Sequence, residues 1–169
     1  MKYSDKNPPL VCMMTQSTCY KGTTVATPVG ILWHDTAGGN PELRRYVQPD
    51  DNDPKKQELI AKIGKNAYNN DWNHADVAAG LNCWVGKLAN GEVTTVQTMP
   101  WNYRPWGCGS GAKGSCNGTT GGKMWIQFEI CDDGYNNGTE TYFKKAYQEA
   151  LEITAYLCKK FNIDPKGTV

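Results

Sequence analysis

Apolar and polar positions alternate in four short runs and recur at helical spacing in two longer ones. Residues 29–33 form a compact apolar run and predict a buried strand. Residues 81–88 and 92–97 predict two strands joined at Asn90-Gly91, a dipeptide that favours a tight hairpin turn. Residues 124–130 alternate strictly: Met124, Ile126, Phe128 and Ile130 point one way, Trp125, Gln127 and Glu129 the other. Helical spacing predicts a helix over residues 55–65, with Leu59, Ile60 and Ile63 on one side. A longer helix is predicted over residues 141–161, with Phe143, Tyr147, Ala150, Thr154, Leu157 and Phe161 inward. Strands separated by helices predict an α/β domain with a mixed central β-sheet flanked by helices.

The connecting segments are distinct. Residues 1–28 carry breakers at Pro8, Pro9 and Pro28 and are expected to be irregular. Asn40-Pro41 suits the start of a short helix. Residues 48–56 form a polar surface loop, and residues 101–123 are too glycine-rich for regular structure. A loop of that length in a compact domain is usually functional. Without an internal repeat or long linker, residues 1–169 are expected to form one domain.

Composition narrows the function classes. The chain is 39% hydrophobic and 21% charged, ordinary for a soluble protein. A formal net charge of +1 gives no broad attraction to nucleic acid or to an anionic membrane, so neither is expected as a partner. No run approaches the ~20 apolar residues of a membrane span. The N-terminus lacks the apolar stretch of a secretory signal, so cytoplasmic synthesis is expected. Six Trp and nine Tyr against three Phe suit a carbohydrate or peptide surface as well as a core. Seven cysteines lack zinc-ribbon spacing and are expected to be mostly reduced, although Cys12 with Cys19 and Cys108 with Cys116 could each close a short loop. Asn-Gly-Thr triplets at Asn117 and Asn137 match a glycosylation acceptor but mean little without an export signal.

The segment GILWHDTAGG carries the chemistry. It delivers His34, one of two histidines, from a strand onto a glycine-rich loop, a common setting for a zinc ligand. A hydrogen-bonded structural histidine is the alternative. The ordered series WHDTAGG, AGLNCWVGKLANGEVTTVQ, WNYRPWGCGSG and WIQFEICDD, followed by a long helix, resembles the zinc amidase family of phage and bacterial N-acetylmuramoyl-L-alanine amidases and peptidoglycan recognition proteins. The resemblance spans roughly residues 29–169 and is nearest to endolysin-type amidases.

That resemblance implies a peptidoglycan amidase acting on the cell wall after release, with bacterial peptidoglycan as partner and zinc as cofactor. His34 matches the first zinc ligand, and Glu129 matches the carboxylate that acts as general base on zinc-bound water, with an ordinary solvated strand residue as the alternative. Trp101, Asn102, Arg104 and Trp106 are candidates for the substrate cleft, with loop packing as the alternative. Three departures stand out. Leu81 occupies the hairpin position where some members carry tyrosine. Gly107 follows Trp106 where the family has histidine. The strand expected after the helix, with the two other zinc ligands, is not in the sequence, so the zinc site is incomplete. His74 precedes the hairpin and is expected to be structural. An amidase completed by a further segment, an inactive peptidoglycan-binding module, and an assembly fragment pairing with itself or a partner chain across an open sheet edge all remain compatible with these residues.

Overall fold

A computed structural model describes residues 1–22, 24–112, 114–134 and 140–167. Five strands form one sheet: β1 (Leu10–Val11), β2 (Thr27–Asp35), β3 (Cys83–Lys87), β4 (Val93–Gln97) and β5 (Lys123–Ile130). Their order is β1-β4-β3-β5-β2. The β3–β4 pair is the expected hairpin, antiparallel from Cys83↔Gln97 to Lys87↔Val93. Gly91 takes φ +82° in its turn, a left-handed conformation that costs glycine little. β5 runs parallel to both β3 and β2, and β1 runs parallel to β4.

Among the described residues three helices complete the fold: α1 (Thr18–Gly22), α2 (Lys56–Ile63) and α3 (Glu140–Phe161), with a 3₁₀ turn at Leu43–Arg45. The helix suggested at Asn40-Pro41 is this 3₁₀ turn. It begins after an Asx-type turn in which Glu42 N–H donates to Asn40 Oδ1 at 3.0 Å.

The N-terminal residues are more ordered than expected, since they contain β1 and α1 and the start of β2. A two-residue strand and a five-residue helix are too short to leave a periodic signal. Pro28 lies inside β2 because that strand pairs with β5 alone among the described residues, and the register shifts between Pro28 and Gly30. An edge strand at a bulge tolerates the missing N–H. For the same reason residues 29–33 are not a buried strand: Val29 is exposed, and Ile31, Leu32 and Trp33 are half-buried.

The sheet buries apolar side chains on both faces. On one face Cys83, Val85, Met124, Ile126 and Phe128 pack with Tyr142, Ala146, Ala150, Ile153 and Leu157 of α3. On the other, Leu81, Trp84 and Val96 pack with Leu43, Leu59, Ile63 and Tyr46. The face of α3 differs from the expected one: Phe143 is 64% and Tyr147 48% exposed, while their neighbours Tyr142 and Ala146 are buried. Glu149 sits in the buried stripe because Thr95 Oγ1 donates to it at 2.8 Å, the Tyr3 hydroxyl donates to it, and Lys2 Nζ pairs with it at 2.7 Å. A charge with that many partners can be buried.

All seven cysteines are free thiols. Burial pushes the Cys12 thiol up to about 12 and the Cys19 thiol up to about 11, so neither is a ready nucleophile. No described helix is long and apolar enough to cross a membrane.

Candidate active site

His34 and Glu129 come from opposite ends of the sequence pattern, and parallel pairing of β2 with β5 makes them direct neighbours. The register matches His34 with Glu129, one residue before each strand ends, and matches Trp84 of β3 with the same Glu129. Residues paired in register share a face, and successive residues alternate. His34, Gln127 and Glu129 therefore lie on the face of Trp84, opposite Trp33 and Phe128. The carboxyl ends of parallel strands are where open α/β sheets usually hold ligands.

The loop after β2 is tied down by its threonine. Thr36 N–H donates to the Ile130 carbonyl at 3.1 Å, and Thr36 Oγ1 accepts from Asp132 N–H at 2.9 Å. Asp35 Oδ1 accepts from Ala37 N–H at 2.9 Å, which supports Ala37 at φ +46°. Tyr46 stacks on Trp84 with ring centroids 5.1 Å apart, and its hydroxyl comes so close to Gly38 that a Cβ there would lie 2.9 Å away.

Glu129 is the electrostatically distinctive group. Its Oε2 is buried and has no hydrogen-bond partner among the described residues. Burial, helped by the nearby Asp35 charge, pushes its carboxyl up to about 7. A carboxyl poised near neutrality can both accept and donate a proton under working conditions. His34 Nε2 lies 2.9 Å from Gln127 Oε1. Among the described residues no three His, Cys, Asp or Glu side chains are grouped to hold a metal, so His34 is a single imidazole donor.

The four cleft candidates are placed differently from one another. Trp101 is only 9% exposed and belongs to the core cluster on the α3 side. Asn102 is exposed, and its carbonyl accepts from Ala26 N–H at 2.9 Å. Arg104 donates to the Gly118 carbonyl at 3.1 Å. Trp106 is half-buried, hydrogen-bonds through its backbone N–H to the Gly80 carbonyl at 2.9 Å, and packs close to Gly22. His74 stands apart from the site. It pairs with the buried Asp71 at 3.2 Å in a polar cluster with Asn73 and Asp50, a structural arrangement.

Gln127 meets His34, Asn117 meets Gln127, and Thr36 ties down the loop after β2, yet none of the three was among the candidate site residues read from the sequence. Gln127 gave one faint signal, an amide on the same strand face as Glu129. Asn117 belongs to one of the two Asn-Gly-Thr triplets, and here its side chain is engaged within the protein. The second triplet, at Asn137, lies outside the described residues. Cys108, flanked by these groups, has its thiol 3.5 Å from Ser115 Oγ and 3.3 Å from Asn117 Oδ1, and both it and Cys116, with which it interacts, are free thiols.

Similar structures exist among solved proteins. One titled "Structure of PlyL" aligns at 19% identity and TM-score 0.49, covering 88% of this chain and 75% of that one. The "Solution structure of the PlyG catalytic domain" aligns at 19% identity and TM-score 0.48, covering 88% of this chain and 72% of that one. No curated protein sequence matches the chain. A family model described as N-acetylmuramoyl-L-alanine amidase matches residues 24–169, nearly the whole sequence and all of the strands that build the site. The chain belongs to the N-acetylmuramoyl-L-alanine amidase family.

Proposed function

We propose that this chain contributes to hydrolysis of the amide between the lactyl group of N-acetylmuramic acid and L-alanine in bacterial peptidoglycan, with Glu129 moving the proton. The observation that carries the reading is the buried, unpartnered Glu129 Oε2 on the strand position paired with His34. An amide needs an activated water and a protonated leaving amine. Glu129 in its ionised form takes the proton of the attacking water. The same carboxyl, now protonated, gives it to the departing L-alanine nitrogen. A carboxyl near 7 does both without a large mismatch.

Zinc, where a family member holds it, polarises the scissile carbonyl and acidifies water. A catalytic zinc takes three protein ligands. His34 offers one, and no group of three stands together among the described residues. These residues do not build a zinc centre by themselves, and the two other donors would have to come from elsewhere. That shortfall favours a second reading, a module that binds peptidoglycan without cleaving it.

Purified cell walls separate the two readings. The wild-type chain is expected to release stem peptides with new L-alanine amino termini. Glu129→Gln is expected to lose that release by at least about 100-fold while still sedimenting with walls. Wall retention with no release by the wild type supports the binding module. Release at an undiminished rate by Glu129→Gln overturns the role assigned to that carboxyl.

A further inference from the structure

Behind His34 runs a chain of hydrogen bonds whose directions are fixed by the backbone. The N–H groups of Gly107 and Cys108 both donate to one atom of the Asn117 carboxamide at 3.1 Å. That atom must be the oxygen. The other atom, Nδ2, then donates to the Cys108 carbonyl at 2.7 Å. Gln127 is wholly buried, and its carboxamide meets Asn117 Oδ1 at 3.0 Å. Only its NH₂ group can make that contact.

The oxygen of Gln127 is therefore left facing His34 Nε2, at 2.9 Å. An amide oxygen has no proton to give, so the imidazole must donate through Nε2. A neutral imidazole carries one ring proton, and Nδ1 keeps the lone pair. Among the described residues Nδ1 has no hydrogen-bond partner.

The surroundings hold Gln127 in place. Its backbone N–H donates to Asn82 Oδ1 at 3.0 Å, and Asn82 N–H donates back to the Gln127 carbonyl at 2.9 Å. Gly107 leaves the room its side chain needs. A Cβ at that position would lie 2.5 Å from Gln127 Oε1 and 2.5 Å from Leu81 Cδ2. Gly107 is the position where the sequence departs from the family's histidine, and the Gln127 carboxamide occupies the space beside it.

We propose that Gln127 is a positioning residue for His34: clamped by Asn117, it holds the imidazole as the Nε2–H tautomer and leaves Nδ1 as the basic nitrogen at the strand position facing Glu129. Partners of this kind, one shell behind a functional histidine, commonly fix its tautomer and ring orientation. The inference builds on the reading of His34 as a site residue, but its test does not depend on hydrolysis.

The test is long-range ¹H–¹⁵N correlation on the ¹⁵N-histidine-labelled chain, at a pH about two above the ordinary imidazole pKa. Wild-type His34 is expected to show one tautomer, with a proton on Nε2 that exchanges slowly enough to be seen. Gln127→Met keeps the side-chain length but removes the amide oxygen. It is expected to lose the Nε2–H signal and to give a tautomer mixture.

Asn117→Ala leaves Gln127 in place but free to turn over, and it is expected to weaken the signal. It serves as the deciding variant if Gln127→Met does not fold. His74, bonded to Asp71, is the internal control and is expected to be unchanged throughout. Wild-type His34 protonated on Nδ1 overturns the proposal. So does an Nε2–H signal that survives unchanged in every folded one of the Gln127→Met and Asn117→Ala variants. A chain that shows the expected tautomer but releases no stem peptide removes the hydrolytic reading and leaves this one standing.

Discussion

Glu129 holds a half-buried carboxyl at a cost to stability, and pH reveals that cost. Its folded-state carboxyl lies at about 7, above the ordinary value of 4.5, so the folded chain holds that proton more tightly than the unfolded chain does. Stability from this group is fully present below 4.5, falls as pH rises toward 7, and is flat above. A tenfold difference in proton affinity is worth about 1.4 kcal/mol, so the loss is on the order of 2–3 kcal/mol once solvent screening of a partly exposed group is allowed for. Glu129→Gln cannot ionise. It is expected to match the wild type at pH about 4 and to exceed it by roughly that amount at pH about 8. Denaturant midpoints at the two pH values measure this, and equal differences at both would remove the buried-carboxyl account. His34 and Glu129 could be named as candidates from the sequence because motif order marked them, and the sheet pairs them in register. Gln127 and Asn117 could not be named, because their roles come from hydrogen bonds between segments far apart in the chain.

At the scale of single elements, α3 shows why periodicity can find a helix and still miss its buried face. Apolar side chains occupy two adjacent stripes: Tyr142, Ala146, Ala150 and Ile153 in one, Phe143, Tyr147 and Leu151 in the other. Either stripe satisfies helical spacing. Glu149 marks the first as polar in the sequence, yet Tyr3, Thr95 and Lys2 supply its partners and let that stripe dock. The second stripe stays outside, where Phe143 stacks on Tyr147 and Tyr147 meets Trp33 edge-on at 5.8 Å. Truncation distinguishes the stripes. Ile153→Ala removes a fully buried side chain and is expected to cost about 2–5 kcal/mol. Phe143→Ala is expected to cost about 0.5 kcal/mol or less. Urea unfolding followed by circular dichroism measures both, and a larger loss at Phe143 would put the face of α3 back where spacing alone placed it.

Across the whole molecule, the candidate site rests on one interior strand and one edge strand. The β3–β4 hairpin was legible because its two halves are joined by a short connection with a turn dipeptide. The β2–β5 pairing was not, since it joins residues far apart in the chain, such as His34 and Glu129, and nothing local encodes that register. Glu129 lies on β5, which is flanked by β3 and β2, whereas His34 lies on β2, which pairs on one side only among the described residues. Trp33 anchors that edge by packing on Phe128 at 5.5 Å and donating through Nε1 to Thr154 Oγ1 at 2.9 Å. Edge strands open locally at lower free energy than interior ones. Opening of β2 would therefore separate His34 from Glu129 while the rest of the sheet stays folded. Native-state hydrogen exchange is expected to find β2 amides exchanging faster than those of β3 and β5. Trp33→Ala is expected to speed β2 further with little change in β3. If β2 amides instead exchange only through global unfolding, at the same rate as β3, His34 and Glu129 are held by one cooperative unit and the edge confers no separate freedom on His34.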